Sequence, residues 1–76
     1  MNNELNQDTI ESLIKTFVRS NHRANKRETV NTFYANKASR LAGVIQELIN
    51  LGSLDQEQAN RMIKTYEYRI KLNEKL

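Results

Sequence analysis

LAGVIQELINLGSLDQEQANRMIKTYEYRI, residues 41–70, decides the fold. Leu41, Val44, Ile45, Leu48 and Ile49 recur there at i, i+3, i+4, i+7 and i+8, which lays one apolar stripe along a helix. Gly52 follows the last periodic residue, where a helix ends in the left-handed region at no steric cost. Asp55 suits the N-cap of a second helix, with Leu54 and Ala59 at the positions of a hydrophobic staple. Ala59, Met62, Ile63, Tyr66 and Ile70 then carry the second stripe. A turn as short as Leu51-Gly52-Ser53-Leu54-Asp55 is expected to fold these two stripes against each other.

Upstream, residues 1–7 show no periodicity and read as a polar lead-in, leaving 8–76 as a single helical domain. Asp8 suits a helix cap with Glu11 at the capping-box position. Ile10, Leu13, Ile14, Phe17 and Val18 share one face of the helix that follows. The pattern stops there, and Ser20-Asn21-His22-Arg23-Ala24-Asn25 reads as a connector. Asn25 and Glu28 form another capping-box pair, after which Val30, Phe33 and Tyr34 open a new apolar face. That face either runs on to Ile49 as one helix or breaks at Ala35-Asn36-Lys37. One helix of about 25 residues would measure about 37 Å, longer than the roughly 30 Å diameter of so small a compact domain. Lys37 would also interrupt the apolar arc between Phe33 and Leu41, so the break is favoured. The expectation is all-α: a small four-helix bundle with helices at 8–20, 26–35, 38–51 and 55–73.

Composition narrows the class further. The 76 residues include no proline, no cysteine and two glycines, which favours uninterrupted helices and excludes disulfides and cysteine-ligated metals. No apolar run approaches the roughly 18 residues of a membrane span, and the polar, acidic start is unlike a secretory signal. A cytoplasmic protein is expected. His22 is the single histidine and has no cysteine or paired carboxylate beside it, so neither nucleophilic catalysis nor a metal ligand set is readable. Neither Gly43 nor Gly52 belongs to a phosphate-cradling loop. The reading is non-enzymatic, with no cofactor and no metal.

Charge carries the functional signal. The net charge of +3 divides unevenly, with −3 in residues 1–14, +6 in 15–40, −3 in 41–60 and +3 in 61–76. Segregated positive charge points to an anionic polymer. Arg19, Arg23, Lys26 and Arg27 crowd the expected connector, just before a helix N-terminus whose amides and dipole also favour phosphate. Arg61, Lys64, Tyr68, Lys71 and Lys75 follow at spacings of 3, 4, 3 and 4, a basic ridge opposite the apolar stripe. There Tyr68 is placed to stack on an unpaired base. The plainer account makes these a solvated loop and an ordinary outer face.

Met1–Ile14, the basic connector and Asn60–Leu76 together resemble the small companion proteins encoded beside the recombination-repair helicase UvsW in T4-type phages, over the full length. The resemblance implies a four-helix bundle similar to the helicase-and-RNase-D C-terminal (HRDC) domain, a structure-specific nucleic-acid-binding module. It also implies an accessory role in phage DNA replication, recombination and repair. The chain departs from that pattern in lacking prolines and any glycine turn before the last helix other than Gly52, so no binding residue is carried over. The expected partner is nucleic acid, single-stranded or branched DNA first, with a helicase as a further one. The alternative is a protein-interaction adaptor docking on a helicase or a host factor.

Overall fold

The computed structural model of the chain describes residues 6–25 and 31–75. They form three helices, α1 (Gln7–Ala24), α2 (Asn31–Asn50) and α3 (Gln56–Lys75), with no strand among them. The four-helix, HRDC-like bundle expected above is therefore corrected to three helices. Two of its boundaries fail for identifiable reasons.

α1 starts and ends further out than its periodicity suggested. Its N-cap is Asn6, whose Oδ1 accepts the Thr9 N–H at 2.8 Å, while Asp8 lies in the first turn, where its charge faces the positive end of the helix dipole. At the other end the expected connector is helical through Ala24. Ser20 is buried and His22 and Ala24 are half-buried, so this polar stretch is still held against the bundle. The helix closes where the Asn25 N–H reaches the carbonyls of Asn21 and His22, at 3.2 Å each.

α2 has no break at Ala35-Asn36-Lys37. Its buried face runs through Tyr34, Ala38, Leu41, Ile45 and Leu48, spaced 4, 3, 4 and 3. That face is rotated by one residue from the one anchored on Phe33, which stands 62% exposed. On the observed face Lys37 is exposed and interrupts nothing. Helix length is no obstacle either, because the chain is elongated, 42 Å along its longest axis with a radius of gyration of 13.4 Å. A 20-residue helix, about 30 Å long, fits inside that extent.

The turn behaves as read. The Ser53 N–H bonds the Leu48 carbonyl at 2.9 Å and the Gly52 N–H bonds that of Ile49 at 3.0 Å, a Schellman arrangement, with Gly52 at φ +80°. Asp55 caps α3 by accepting the Gln58 N–H at 3.2 Å. The staple residues Leu54 and Ala59 are both buried.

What the short turn does not do is face α2 against α3. Ile10, Ile14 and Val18 of α1 form the centre of the core, with Ile45 of α2 and with Leu54 and Ala59 at the start of α3. Both α2 and α3 lean on α1 and approach each other least. The half-buried Leu48, Ile49, Met62, Ile63, Tyr66 and Ile70 pack against this shared seam. Directions follow from neighbouring side chains. Arg23, late in α1, meets Tyr34, early in α2, so these two helices are antiparallel. Asp8 and Glu11, early in α1, border Tyr66, while Asn21 and Asn25, late in it, border Ile70 and Lys71, so α1 and α3 run the same general way.

Ile14 has no exposed surface, so Ile14→Ala is expected to lose about 3 kcal/mol in urea unfolding. Asn36→Pro, inside α2, should lose a similar amount, about 3 kcal/mol, because it interrupts a continuous helix. The glycines should respond oppositely. Gly52→Ala forces a side chain into a positive φ and costs about 1 kcal/mol. Gly43→Ala, where an added Cβ meets nothing within 4 Å inside a helix, gains about 0.5–1 kcal/mol.

Candidate nucleic-acid interface

On α1 the residues Lys15, Arg19 and Arg23 are four apart, so they form one inclined row along the outside of the helix. All three are exposed. Where the row meets α3 it gains a fourth cation. Lys15, Arg19, Tyr66, Arg69 and Asn73 border one hollow between the two helices. The Arg69 guanidinium carbon lies 5.6 Å from the centre of the Tyr66 ring, within cation–π reach, and this orients its charge along the helix surface.

The upper end of the row is anchored on α2. Arg23 Nη1 donates to the Tyr34 hydroxyl oxygen at 3.3 Å, and its guanidinium carbon sits 5.3 Å from the Tyr34 ring centre. Phe33 meets Tyr34 edge-on, with ring centres 5.2 Å apart. Arg23 thus bridges two helices while keeping donors directed to solvent. Among the described residues no carboxylate lies within 4.0 Å of Lys15, Arg19 or Arg69.

The up-down-up arrangement also sorts charge along the long axis. One end gathers the starts of α1 and α3 and the finish of α2, with Asp8, Glu11, Glu47, Asp55 and Glu57. Towards the other lie Arg19, Arg23, Lys37, Arg40, Arg69 and Lys71, with the acids Glu67 and Glu74 of α3 on the same half of that helix. Each set of charges complements the dipoles of the parallel helices α1 and α3. The result is a molecule with an acidic end and a basic end.

Of the residues singled out by charge and spacing, Arg19 and Arg23 belong to the row, while Lys26 and Arg27 lie outside the described residues. Arg61, Lys64, Tyr68 and Lys71 are exposed on the outer face of α3, opposite its half-buried stripe. Of these, Lys71 borders a hollow with Asn21, His22 and Asn25 of α1, and none of the four lines the hollow of Lys15, Arg19 and Arg69. Tyr68 is 65% exposed and Leu72, one turn on, 46%. Lys15 and Arg69 were missed. Lys15 was legible as the residue four before Arg19, but the nearness of Arg69 depends on how α3 packs, which no local spacing encodes. His22 is half-buried in a separate hollow beside Glu67 and Lys71.

The chain matches no protein-family model, no curated protein and no solved structure. Among the described residues no three His, Asp or Glu side chains are grouped to hold a metal ion, and no helix is long and apolar enough to cross a membrane.

Exposed cations with no described carboxylate within 4.0 Å make a stability prediction. Lys15→Gln and Arg19→Gln should leave thermal stability unchanged or slightly raised, within about 0.5 kcal/mol. Arg23→Ala should lower it by about 1 kcal/mol through loss of the Tyr34 contacts. Thermal denaturation of the three variants at low salt separates these cases.

Proposed function

We propose that this chain is a non-enzymatic nucleic-acid-binding module that meets the phosphate backbone through Lys15, Arg19, Arg23 and Arg69. The observation that carries the reading is the basic row itself: Lys15, Arg19 and Arg69, from two helices, border one hollow with no carboxylate paired to them among the described residues, and Arg23 extends the row one turn beyond it. Fixed cations without partners lose little when they bind phosphate, because no internal ion pair has to break. Nothing in the row has the form of a major-groove reader, so contacts are to phosphates and shape, and base sequence matters little. Single-stranded or branched DNA is the favoured target. The chain-wide likeness to phage helicase companions supports a role in phage DNA recombination and repair, within the host cytoplasm. Arg61, Lys64, Lys71 and Tyr68 form a second basic face on α3, outside the hollow of Lys15, Arg19 and Arg69, which a longer or branched target would reach.

Fluorescence anisotropy with labelled single-stranded and forked oligonucleotides tests the proposal. Four phosphate contacts on a single strand predict a log–log salt slope of about −3. The double variant Arg19→Ala, Arg69→Ala should weaken binding to every sequence alike and flatten the slope by about 1 to 2. Replacing Arg61, Lys64 and Lys71 together should affect forked DNA more than a short single strand. Absence of binding at low salt would sink the proposal in favour of a protein-docking role.

A further inference from the structure

α2 carries two rows at coiled-coil spacing. One is the buried row through Tyr34, Ala38, Leu41, Ile45 and Leu48. The other is fully on the surface: Phe33, Lys37, Arg40, Val44 and Glu47, with Leu51 just past the helix end, where its N–H still bonds the Glu47 carbonyl at 2.9 Å, spaced 4, 3, 4, 3 and 4. Its three apolar members are among the most exposed large hydrophobics of the chain, Phe33 at 62%, Val44 at 46% and Leu51 at 71%. Spacing of this kind forms a seam for another helix.

The charges in the row say which helix. Lys37 and Arg40 lie in its first half and Glu47 in its second. From these observations we propose that the exposed row of α2 is a self-association surface, on which a second copy of this chain pairs antiparallel about a two-fold axis near Ala42. In that register Phe33 lies opposite Leu51 of the second copy, Lys37 opposite Glu47, and Arg40 beside Val44, one turn from the same carboxylate. A C2 axis repeats each contact twice, so one helix surface supplies both halves of the interface. A parallel copy is disfavoured, since it would set lysine against lysine and glutamate against glutamate. The same antiparallel arrangement lays the basic end of one molecule along the acidic end of the other. The seam is one helix wide and about 27 Å long, at the small end of specific interfaces, so the association is weak and concentration-dependent.

Sedimentation equilibrium of the full chain, from about 10 µM to about 1 mM, reads the proposal directly. Wild-type protein should shift from monomer to dimer across that range. Lys37→Glu and Glu47→Lys should each weaken the dimer by about tenfold, since two attractive pairs become two repulsive ones. The double variant should return to within about threefold of wild type, the coupling expected of a direct pair. All four residues at the ends and pairs of the seam are on the surface, so helicity by circular dichroism should be unchanged. A monomer at every concentration overturns the proposal, as does a dimer indifferent to the charge swaps. Failure of the double variant to recover overturns the antiparallel register. In a parallel titration with a short single strand, a monomeric protein whose Phe33 ring resonances shift would assign this face to nucleic acid instead.

Discussion

One apolar seam on α1 has to serve two helices, and the rest of the structure depends on it. Ile10, Ile14 and Val18 lie along that seam, with Ile14 entirely enclosed. In this 76-residue chain the interfaces lie between α1 and α2 and between α1 and α3, and α2 and α3 approach each other least. Sharing α1 allows this, because α2 and α3 bury their stripes on its two flanks and need not press on each other. The arrangement fixes the rotation of α1. With its inner arc committed to both neighbours, the inclined row Lys15, Arg19, Arg23 is carried along the outside. It comes within reach of α3 below and of α2 above. The candidate interface is thus a consequence of the packing and not an independent addition to it.

What was legible in the sequence was local. The Gly52 turn, the Asp55 cap and the Leu54–Ala59 staple were readable because each depends on residues within about five positions of one another. The stripes of α1 and α3 were readable from periodicity. The α2 face was not, because two aromatics stand side by side. Phe33 and Tyr34 each begin a plausible row, and choosing Phe33 turns the helix by about 100° and brings Lys37 into the arc. Ala38, the small residue that marks the true face, contributes little to any hydrophobic count. The polar run after Arg19 misled differently. Ser20 is suited to a turn by composition, yet burial of that one small side chain holds the helix on course. Which stripe meets which is a long-range fact, and so is the meeting of Arg19 with Arg69.

The charge blocks along the chain read differently once the chain is folded. Residues 1–14 and 41–60 each carry −3, and residues 15–40 and 61–76 carry +6 and +3. Taken in sequence this is an alternation. In an up-down-up bundle each reversal of direction falls inside a block of one sign and each change of sign falls within a helix, so most of the described acids collect towards one end and most of the described bases towards the other. Such a molecule has a strong dipole as well as a modest net charge. It approaches a polyanion with the basic end leading, and the acidic end is held off. Steering of this kind is screened by salt over about 10 Å at 0.1 M, a distance well short of the 42 Å long axis, so the near end alone senses the strand.

The dipole also connects the two proposals. Pairing through α2 in an antiparallel sense cancels most of the field along the shared seam, which favours the dimer most at low salt. Those are the conditions under which phosphate binding is strongest too. The row on α1 and the exposed row on α2 lie on different faces, since Arg23 contacts Tyr34 on the buried side of α2 while Phe33, Lys37 and Val44 face outward. A dimer therefore leaves Lys15, Arg19 and Arg69 accessible on both copies, with the two basic ends at opposite extremes of the pair. Two weak phosphate-binding surfaces held apart in this way suit a target with two separated strands better than a single continuous one, because the second contact forms at the high effective concentration set by the first. Preference for branched over single-stranded DNA would then arise from the geometry of the assembly, with no residue in either copy needing to recognise a junction.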